Sequence, residues 1–490
     1  MSRERQSSLL SRAVFSVPLC LIASGCSVGP HYQRPSAPAA PAYSEAVPPP
    51  NPANGGWKQA QPSDAMLRGK WWEMYNDPQL NSLEAKLAIS NETLKAAMNQ
   101  YFQAREQVHV ARANYYPTLT AGPSASRTRE SYNEPNTERG VTQYQYNTYA
   151  LEGQALWEPD FWGQVRHTVE QARANAQASA ADLANAELSL RSELATDYFE
   201  MRGLDTQQQL LDNAVSAFTD FYNLTKVRFK GGVATDVDVA EAETQLKTTR
   251  AQAIDVGVAR AQFQHAIATL IGVPASSFSL PASPLNLQLP VIPPGVPSAL
   301  LERRPDIAAA ERRTDAANAQ IGIAISAYYP TISLGATGGF ESSHPGNWLQ
   351  GPSALWSLGG SAVETLFDAG RRHALTRQAQ DAYNMQVATY RQTVLTAFQE
   401  VEDNLSTLRV LDEEAVAEAD AVDSAQRLLS VSTKRYKGGV TTYLEVLTAQ
   451  TAQLADQRTQ ADITTRRFAA SVGLITALGG GWSATQLPNP

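Results

Sequence analysis

Between Asp77 and about Asn114, apolar residues recur at helical spacing in an alanine-rich background, which predicts a helix there. Tyr115-Tyr116-Pro117 ends it, because a proline disfavours the helical conformation of the residue before it. The period then drops to two. It is clearest after Tyr328-Tyr329-Pro330, where Ile332, Leu334, Ala336, Gly338 and Phe340 alternate with Ser333, Gly335 and Thr337. Leu119 and Ala121 hold the corresponding places after the first Tyr-Tyr-Pro, and alternation continues through Val141 to Trp157 and through Trp356, Leu358, Gly360, Ala362 and Glu364. Four strands are expected, at about 116–130, 141–160, 329–343 and 353–368. Each reaches the ~9–11 residues with which a tilted strand crosses a bilayer. Two ordinary soluble hairpins would carry the same alternation. Trp157 and Trp356, near strand ends, suit either an interfacial aromatic belt or ordinary packing.

Gly163 and Gly370 close the strand pairs, and behind each lies a long helical pattern, 164–230 and 371–437, without a proline. At ~1.5 Å per residue each predicts a helix of ~100 Å, the length of coiled coils and tubes. Shorter helical segments near 79–114 and 236–271, laid end to end, match the first long helix. Segments near 303–327 and 442–478 roughly match the second. One unit is thus a long helix beside two stacked short ones, with a hairpin inserted at the break.

The unit occurs twice. Arg228-Phe229-Lys230-Gly231-Gly232-Val233 returns 207 residues on as Arg435-Tyr436-Lys437-Gly438-Gly439-Val440, and Gly163 and Gly370 share that offset. Tyr115-Tyr116-Pro117-Thr118 returns 213 residues on as Tyr328-Tyr329-Pro330-Thr331. Repeat 1 spans 71–280 and repeat 2 spans 281–482, followed by a tail at 483–490. In the turns at 230–235 and 437–442, glycine accepts the left-handed conformation that closes a helix. Lys226, Arg228 and Lys230, like Lys434, Arg435 and Lys437, place positive charge at the negative end of the helix dipole. Thr235 with Asp238, and Thr442 with Glu445, are spaced as capping boxes for the returning helices.

Composition narrows the function. A net charge of −8 argues against a nucleic-acid partner, which favours a basic face. Both cysteines, Cys20 and Cys26, lie near the start, so the rest of the chain has no disulfide or Cys-based metal site. Residues 1–25 read as an export signal: Arg3, Arg5 and Arg12 precede an apolar stretch, Ala13 to Ala23. Ala23-Ser24-Gly25-Cys26 resembles a bacterial lipobox, which would make Cys26 the lipidated first residue; an incidental cysteine after a cleaved signal is the alternative. Ala23 stands where leucine is usual. Residues 26–70 are a Pro/Ala-rich anchored segment that reads as a tether. Nothing after residue 26 offers ~18 consecutive apolar residues, so any membrane crossing must use strands. The six histidines show no metal-ligand spacing, and no nucleophile–base constellation is visible.

Four strands cannot close a transmembrane barrel, since single-chain barrels begin at about eight. Open edges in lipid leave backbone groups unsatisfied at several kcal/mol each. A spanning chain must therefore oligomerise, with eight strands as a dimer or twelve as a trimer. Such an assembly, half embedded and half helical tube, is a conduit. The chain resembles the outer-membrane factors of tripartite efflux systems, the TolC-like family in its OprM/NodT lipoprotein branch. The resemblance rests on Cys26-Ser27-Val28-Gly29-Pro30 with Tyr32 and Pro35, Trp71-Trp72, and Asp77-Pro78-Gln79-Leu80. It continues in Arg303-Arg304-Pro305-Asp306-Ile307, Ala310-Glu311-Arg312, Ile321-Gly322, Phe367-Asp368-Ala369-Gly370-Arg371-Arg372 and both Lys-Gly-Gly turns, and it covers residue 26 to about 482.

The resemblance implies a mainly α fold with a β-barrel part. It implies a homotrimer whose twelve-strand barrel in the outer membrane continues into a twelve-helix periplasmic barrel. Its partners would be a periplasmic membrane-fusion adaptor and an inner-membrane pump, most readily of the RND type. It would pass drugs or other solutes outward, without a cofactor beyond the lipid on Cys26 and without catalysis. No phosphate loop is present, so the energy would come from the pump. Gly231, Gly232, Val233, Gly438, Gly439 and Val440 would form the adaptor-docking tip, with helix termination as their simpler role. Asp236, Asp238, Glu241 and Glu243 could line a cation-selective constriction or compensate the helix dipole on a solvated face. Tyr443, Leu444 and Thr448 occupy positions where this branch narrows its pore. The branch tends to place an acid at the position of Thr448 and a base near Thr451, so a charge-latched gate does not carry over, whereas Leu444 as an apolar constriction does. Arg435 and Tyr436 are latch candidates between helices, or caps of one. Export of proteins or polysaccharides, and a lipid-anchored periplasmic scaffold that never spans, are the alternatives.

Overall fold

The computed structural model describes residues 27–38, 42–45, 69–129, 131, 145–293 and 297–490. The export signal and Cys26 lie outside them, as do residues 141–144 of the second expected strand. In chain order the elements are α1 (Pro78–Ser90), α2 (Glu92–Ala113), β1 (Thr118–Arg129), β2 (Gln145–Trp157), α3 (Gln164–Lys230) and α4 (Asp236–Leu270). The second copy supplies α5 (Pro305–Ser326), β3 (Thr331–Ser342), β4 (Ala354–Val363), α6 (Arg371–Lys437) and α7 (Tyr443–Ala477). Both long helices have 67 residues. No helix among the described residues is long and apolar enough to cross a membrane.

Local chemistry sets the helix starts. The Asp77 carboxylate accepts from the N–H groups of Gln79 (2.8 Å) and Leu80 (3.3 Å), and Pro78 fits the first helical position. The helix expected to run unbroken to Asn114 is instead divided at Asn91. That buried amide accepts from Leu94 N–H (2.7 Å) and donates to the last carbonyl of α4, Leu270 O (2.8 Å). A side chain that satisfies both a new N-terminus and a neighbour's C-terminus stabilises the break. Asp160 and Asp368 start the long helices in the same manner. Asp160 accepts from the N–H groups of Val165 and Arg166 (3.0 Å each), and Asp368 from those of Gly370 and Arg372 (3.0 Å each).

The helices pack in a fixed order. α3 lies between α2 stacked over α4 on one side and α5 stacked over α7 on the other, and α6 packs beyond the second stack. The strip thus ends in α2 and α4 at one edge and in α6 at the other. The largest core sits at mid-height, where Trp71, Tyr75, Leu80 and Leu87 meet Tyr198 and Phe199 of α3, Tyr390 and Val401 of α6 and Phe468 of α7.

The four strands form one antiparallel sheet in the order β1-β2-β3-β4. Its pleat gives two unlike faces, because residues opposite one another in register share a face. One cross-strand row reads Leu119, Ala155, Ala336, Leu358, and the adjacent row reads Thr120, Gln154, Thr337, Ser357. Trp157, Leu334 and Trp356 join the apolar face, while Glu152, Ser333 and Ser361 join the polar one; Leu156, Leu355 and Val363 depart from the pattern. The fourth strand is shorter than expected. Its last pair is Val363 with Thr331, so Glu364 to Phe367 have no strand partner among the described residues and leave the sheet.

Candidate functional site

At each turn two helices are closed by the same hydrogen bonds. Val233 N–H donates to Arg228 O (2.9 Å) and Gly232 N–H to Phe229 O (3.0 Å); Val440 N–H donates to Arg435 O (2.9 Å) and Gly439 N–H to Tyr436 O (3.0 Å). This is the paired closure that needs one left-handed residue. Only the second glycine of each pair is that residue: Gly232 has φ 73° and Gly439 has φ 74°. Gly231 and Gly438, at φ −81° and −76°, have ordinary backbone, and a Cβ there would meet nothing closer than 3.5 Å and 3.4 Å. Helix termination therefore accounts for Gly232 and Gly439 but leaves the smallness of Gly231 and Gly438 to another cause. The adjoining valines, Val233 and Val440, are each 69% exposed.

The two returning helices start differently. Thr235 and Asp238 form the expected capping box: the Asp238 carboxylate accepts from Thr235 N–H (2.8 Å) and Asp238 N–H donates to Thr235 Oγ1 (3.2 Å). The second expected box does not form. Thr442 makes no side-chain cap, and Glu445 pairs with Arg435 at 3.9 Å. The corresponding arginine of the first copy, Arg228, is drawn elsewhere, donating to Tyr436 O (2.9 Å) with its guanidinium 4.5 Å from the centre of the Tyr436 ring. Asp238 is consequently free to cap.

Both latch candidates are thus engaged within one chain. The Tyr436 hydroxyl also lies 3.2 Å from Thr225 Oγ1 of α3, and its ring is buried against Tyr443 (centroids 5.9 Å apart). Tyr443 is not a surface group. It is fully enclosed, with Ala242, Val446 and Phe221 around it, so it belongs to the tip core rather than to a pore wall. Burial, with Tyr436 and Glu241 adding to it, pushes its hydroxyl above the usual phenol range. Leu444, next along α7, is exposed, and so is Thr448, whose hydroxyl donates to Leu444 O (2.8 Å).

Of the acidic candidates, Asp238 is consumed by the cap and Glu243 pairs with Lys247 at 2.6 Å. Asp236 and Glu241 border one shallow groove with Val237, Ala240, Thr244, Gln245 and Leu447. No group of three metal-binding side chains gathers among the described residues. The role of Arg228 and the exposed apolar residues at the strip edges were not anticipated. Ile254 and Val258 on α4, and Met385 and Val416 on α6, stand in solvent in the single chain. Their signal was hidden because a helix packed on several sides has no clean amphipathic period.

A profile of the family described as "Outer membrane efflux protein" matches residues 84–273 and 296–480. The antibiotic efflux pump outer membrane protein ArpC of Pseudomonas putida is 32% identical over 482 residues, covering 97% of this chain and 96% of its own. The pyoverdine export outer membrane protein OpmQ of Pseudomonas aeruginosa is 30% identical over 442 residues, covering 89% and 92%. Among solved structures, the outer-membrane channel OprN superposes with a TM-score of 0.84 at 28% identity, over 93% of this chain and 100% of that one.

Proposed function

The chain belongs to the outer membrane efflux protein family, and on that premise we propose how one such chain becomes part of a closed duct. The supporting observation is that the sheet and the helical strip stop on the same two sides. β1 follows directly from α2 at one edge, and β4 leads into α6 at the other. Three copies joined edge to edge give a twelve-strand barrel, with the row of Leu119, Ala155, Ala336 and Leu358 facing lipid and the Thr120, Gln154, Thr337 and Ser357 row facing water. The same joints bury Ile254 and Val258 against a neighbour's α6. The helices continue the bore into the periplasm.

At the far end, Gly231, Gly438, Val233 and Val440 form the surface that receives a periplasmic adaptor, the small residues admitting a close approach. Leu444, Asp236 and Glu241 narrow the mouth there. The adaptor couples the duct to an inner-membrane pump, which supplies the energy, so the chain itself carries solute passively and performs no reaction. Antibiotics and pyoverdine, the cargoes named for two relatives, share little chemistry, which fits a wide duct for small solutes whose selectivity lies in the pump. A lipid on Cys26 tethers the chain to the outer membrane.

Electron microscopy of the mature, detergent-extracted protein tests this reading. Hollow threefold particles with a ~100 Å helical stem beyond a detergent belt are expected from helices of this length. Monomers, or solid rods that need no detergent, would overturn it.

A further inference from the structure

Beside the mid-height core lies a cavity of about 220 Å³. One wall is α3, from Ala184 to Arg191; Trp71 and the chain just beyond α7, including Gly480, Trp482 and Gln486, supply the others. That chain comes close because it is glycine. Gly479, Gly480 and Gly481 hold left-handed backbone (φ 90°, 57° and 86°), and a Cβ on Gly480 would stand 2.3 Å from Leu188 Cδ1.

Two features suit the cavity to a ligand. Trp71 is 1% exposed, and its indole Nε1–H has no hydrogen-bond partner among the described residues. The Cδ1 bonded to that nitrogen lies 3.5 Å from the Cβ position of Gly480, so the donor edge of the ring borders the cavity. A buried donor without an acceptor costs about 1–3 kcal/mol, which a ligand oxygen would recover. Arg191, in turn, is held in one orientation. Its Nε (3.0 Å) and Nη2 (2.6 Å) donate to Glu187 Oε1, its Nη1 donates to Glu84 Oε2 (3.1 Å), and its guanidinium lies 4.2 Å from the centre of the Trp72 ring.

The same groups exclude most ligands. Burial keeps Glu84 protonated at neutral pH, so the charges of Arg191 and Glu187 cancel. A carboxylate or phosphate would meet Glu187, and an ammonium would meet Arg191. A hydrocarbon would leave the Trp71 N–H without an acceptor. A neutral ring with hydroxyls on its rim and C–H groups on its faces satisfies the polar groups and packs on Trp482. The volume lies below the ~300–1,000 Å³ of pockets for drug-sized ligands, so it suits one such ring.

We propose that this cavity binds a single neutral pyranose unit, with a sugar oxygen accepting from Trp71 Nε1–H, hydroxyls on Arg191, Glu187 and Gln486, and a ring face against Trp482. α3 is an inner helix of the strip, so the site is clear of the two edges at which copies would meet. The unit is a free sugar or one residue of a glycan strand, and a strand would fasten the helical part at mid-height.

The test is calorimetric titration of the full-length protein in an amine-oxide detergent, since glycoside detergents would compete. The probes are N-acetylglucosamine and its β-linked trisaccharide, with acetate and ethylammonium as charged controls. Saturable binding of the sugars and of neither control is expected. Glu187→Ala leaves the Arg191–Glu84 pair in place and should weaken binding about tenfold, as the loss of a charged hydrogen bond does. Ala184→Phe, which crowds the cavity from α3, should abolish it. Gln486→Ala, on the exposed tail, should weaken it severalfold without touching the core. Absence of sugar binding would overturn the site, as would binding of a control instead, or sugar affinity unchanged in Glu187→Ala and Gln486→Ala. A trisaccharide that binds much more tightly than the single sugar assigns the pocket to a glycan strand, and equal affinities assign it to a free sugar.

Discussion

The two helix tips are copies that the fold uses differently. An offset of 207 residues aligns Thr235 with Thr442, Asp236 with Tyr443, Val237 with Leu444 and Asp238 with Glu445. Both turns close by the same pair of hydrogen bonds, so the shared Lys-Gly-Gly-Val stretch specifies the turn. Beyond the turns the copies diverge. The first returning helix, α4, lies at an edge of the strip, begins with a capping box and exposes Val237. The second, α7, is flanked by α3 and α6, lacks the box and buries Tyr443. A helix end with packed neighbours is stabilised by burial, whereas an end at an edge depends on its cap.

This contrast can be broken most forcefully at Tyr443. Tyr443→Ala empties a fully enclosed site and should cost about 3–5 kcal/mol in denaturant unfolding, whereas Asp236→Ala at the aligned position should barely move the midpoint. Equal losses would mean that the two tips are structurally equivalent after all.

At mid-height the copies differ in another way. Arg191 of α3 aligns with Phe398 of α6. Arg191 reaches the fully buried Glu84 (3.1 Å), whose second carboxylate oxygen has no hydrogen-bond partner among the described residues. Burial outweighs the arginine and pushes Glu84 up to about 8. The folded state therefore keeps a proton that the unfolded chain releases near 4.5, so the contribution of Glu84 to stability is fully present below that pH and is lost as pH rises towards about 8. Glu84→Gln should flatten this slope. A slope unchanged in that variant would assign the pH dependence to another group.

The glycine pairs sharpen the comparison within each tip. Gly232→Ala and Gly439→Ala force a side chain into left-handed backbone and should each cost about 1–2 kcal/mol. Gly231→Ala and Gly438→Ala should stay within about 0.5 kcal/mol yet lower efflux in cells, because they fill the surface proposed to receive the adaptor. Full efflux in that second pair would leave docking to the valines. The caps separate by a small margin: Thr235→Ala should cost about 1 kcal/mol in thermal unfolding and Thr442→Ala close to nothing.

Much of this was legible along the chain. The two 67-residue helices, the four strands and the tip turns fall where period, proline and glycine place them. The break at Asn91 was not legible, because an asparagine in an alanine-rich helix interrupts it only when a distant carbonyl, here Leu270 O, takes its amide. Nor were the roles of the tip residues. Tyr443 reads as a pore candidate by position alone, and its burial depends on Ala242 and Phe221, which lie about two hundred residues earlier in the other copy.

The sequence by itself determined the duplicated unit, the lengths of its two long helices and the two faces of the sheet, since these depend on spacing, proline stops and alternation within a few residues. Only the tertiary structure decided which copy's helix would be central and which would be left at an edge, and which arginine would reach across to Tyr436. Those outcomes depend on side chains far apart in the chain competing for the same partners, and local pattern carries no record of that competition.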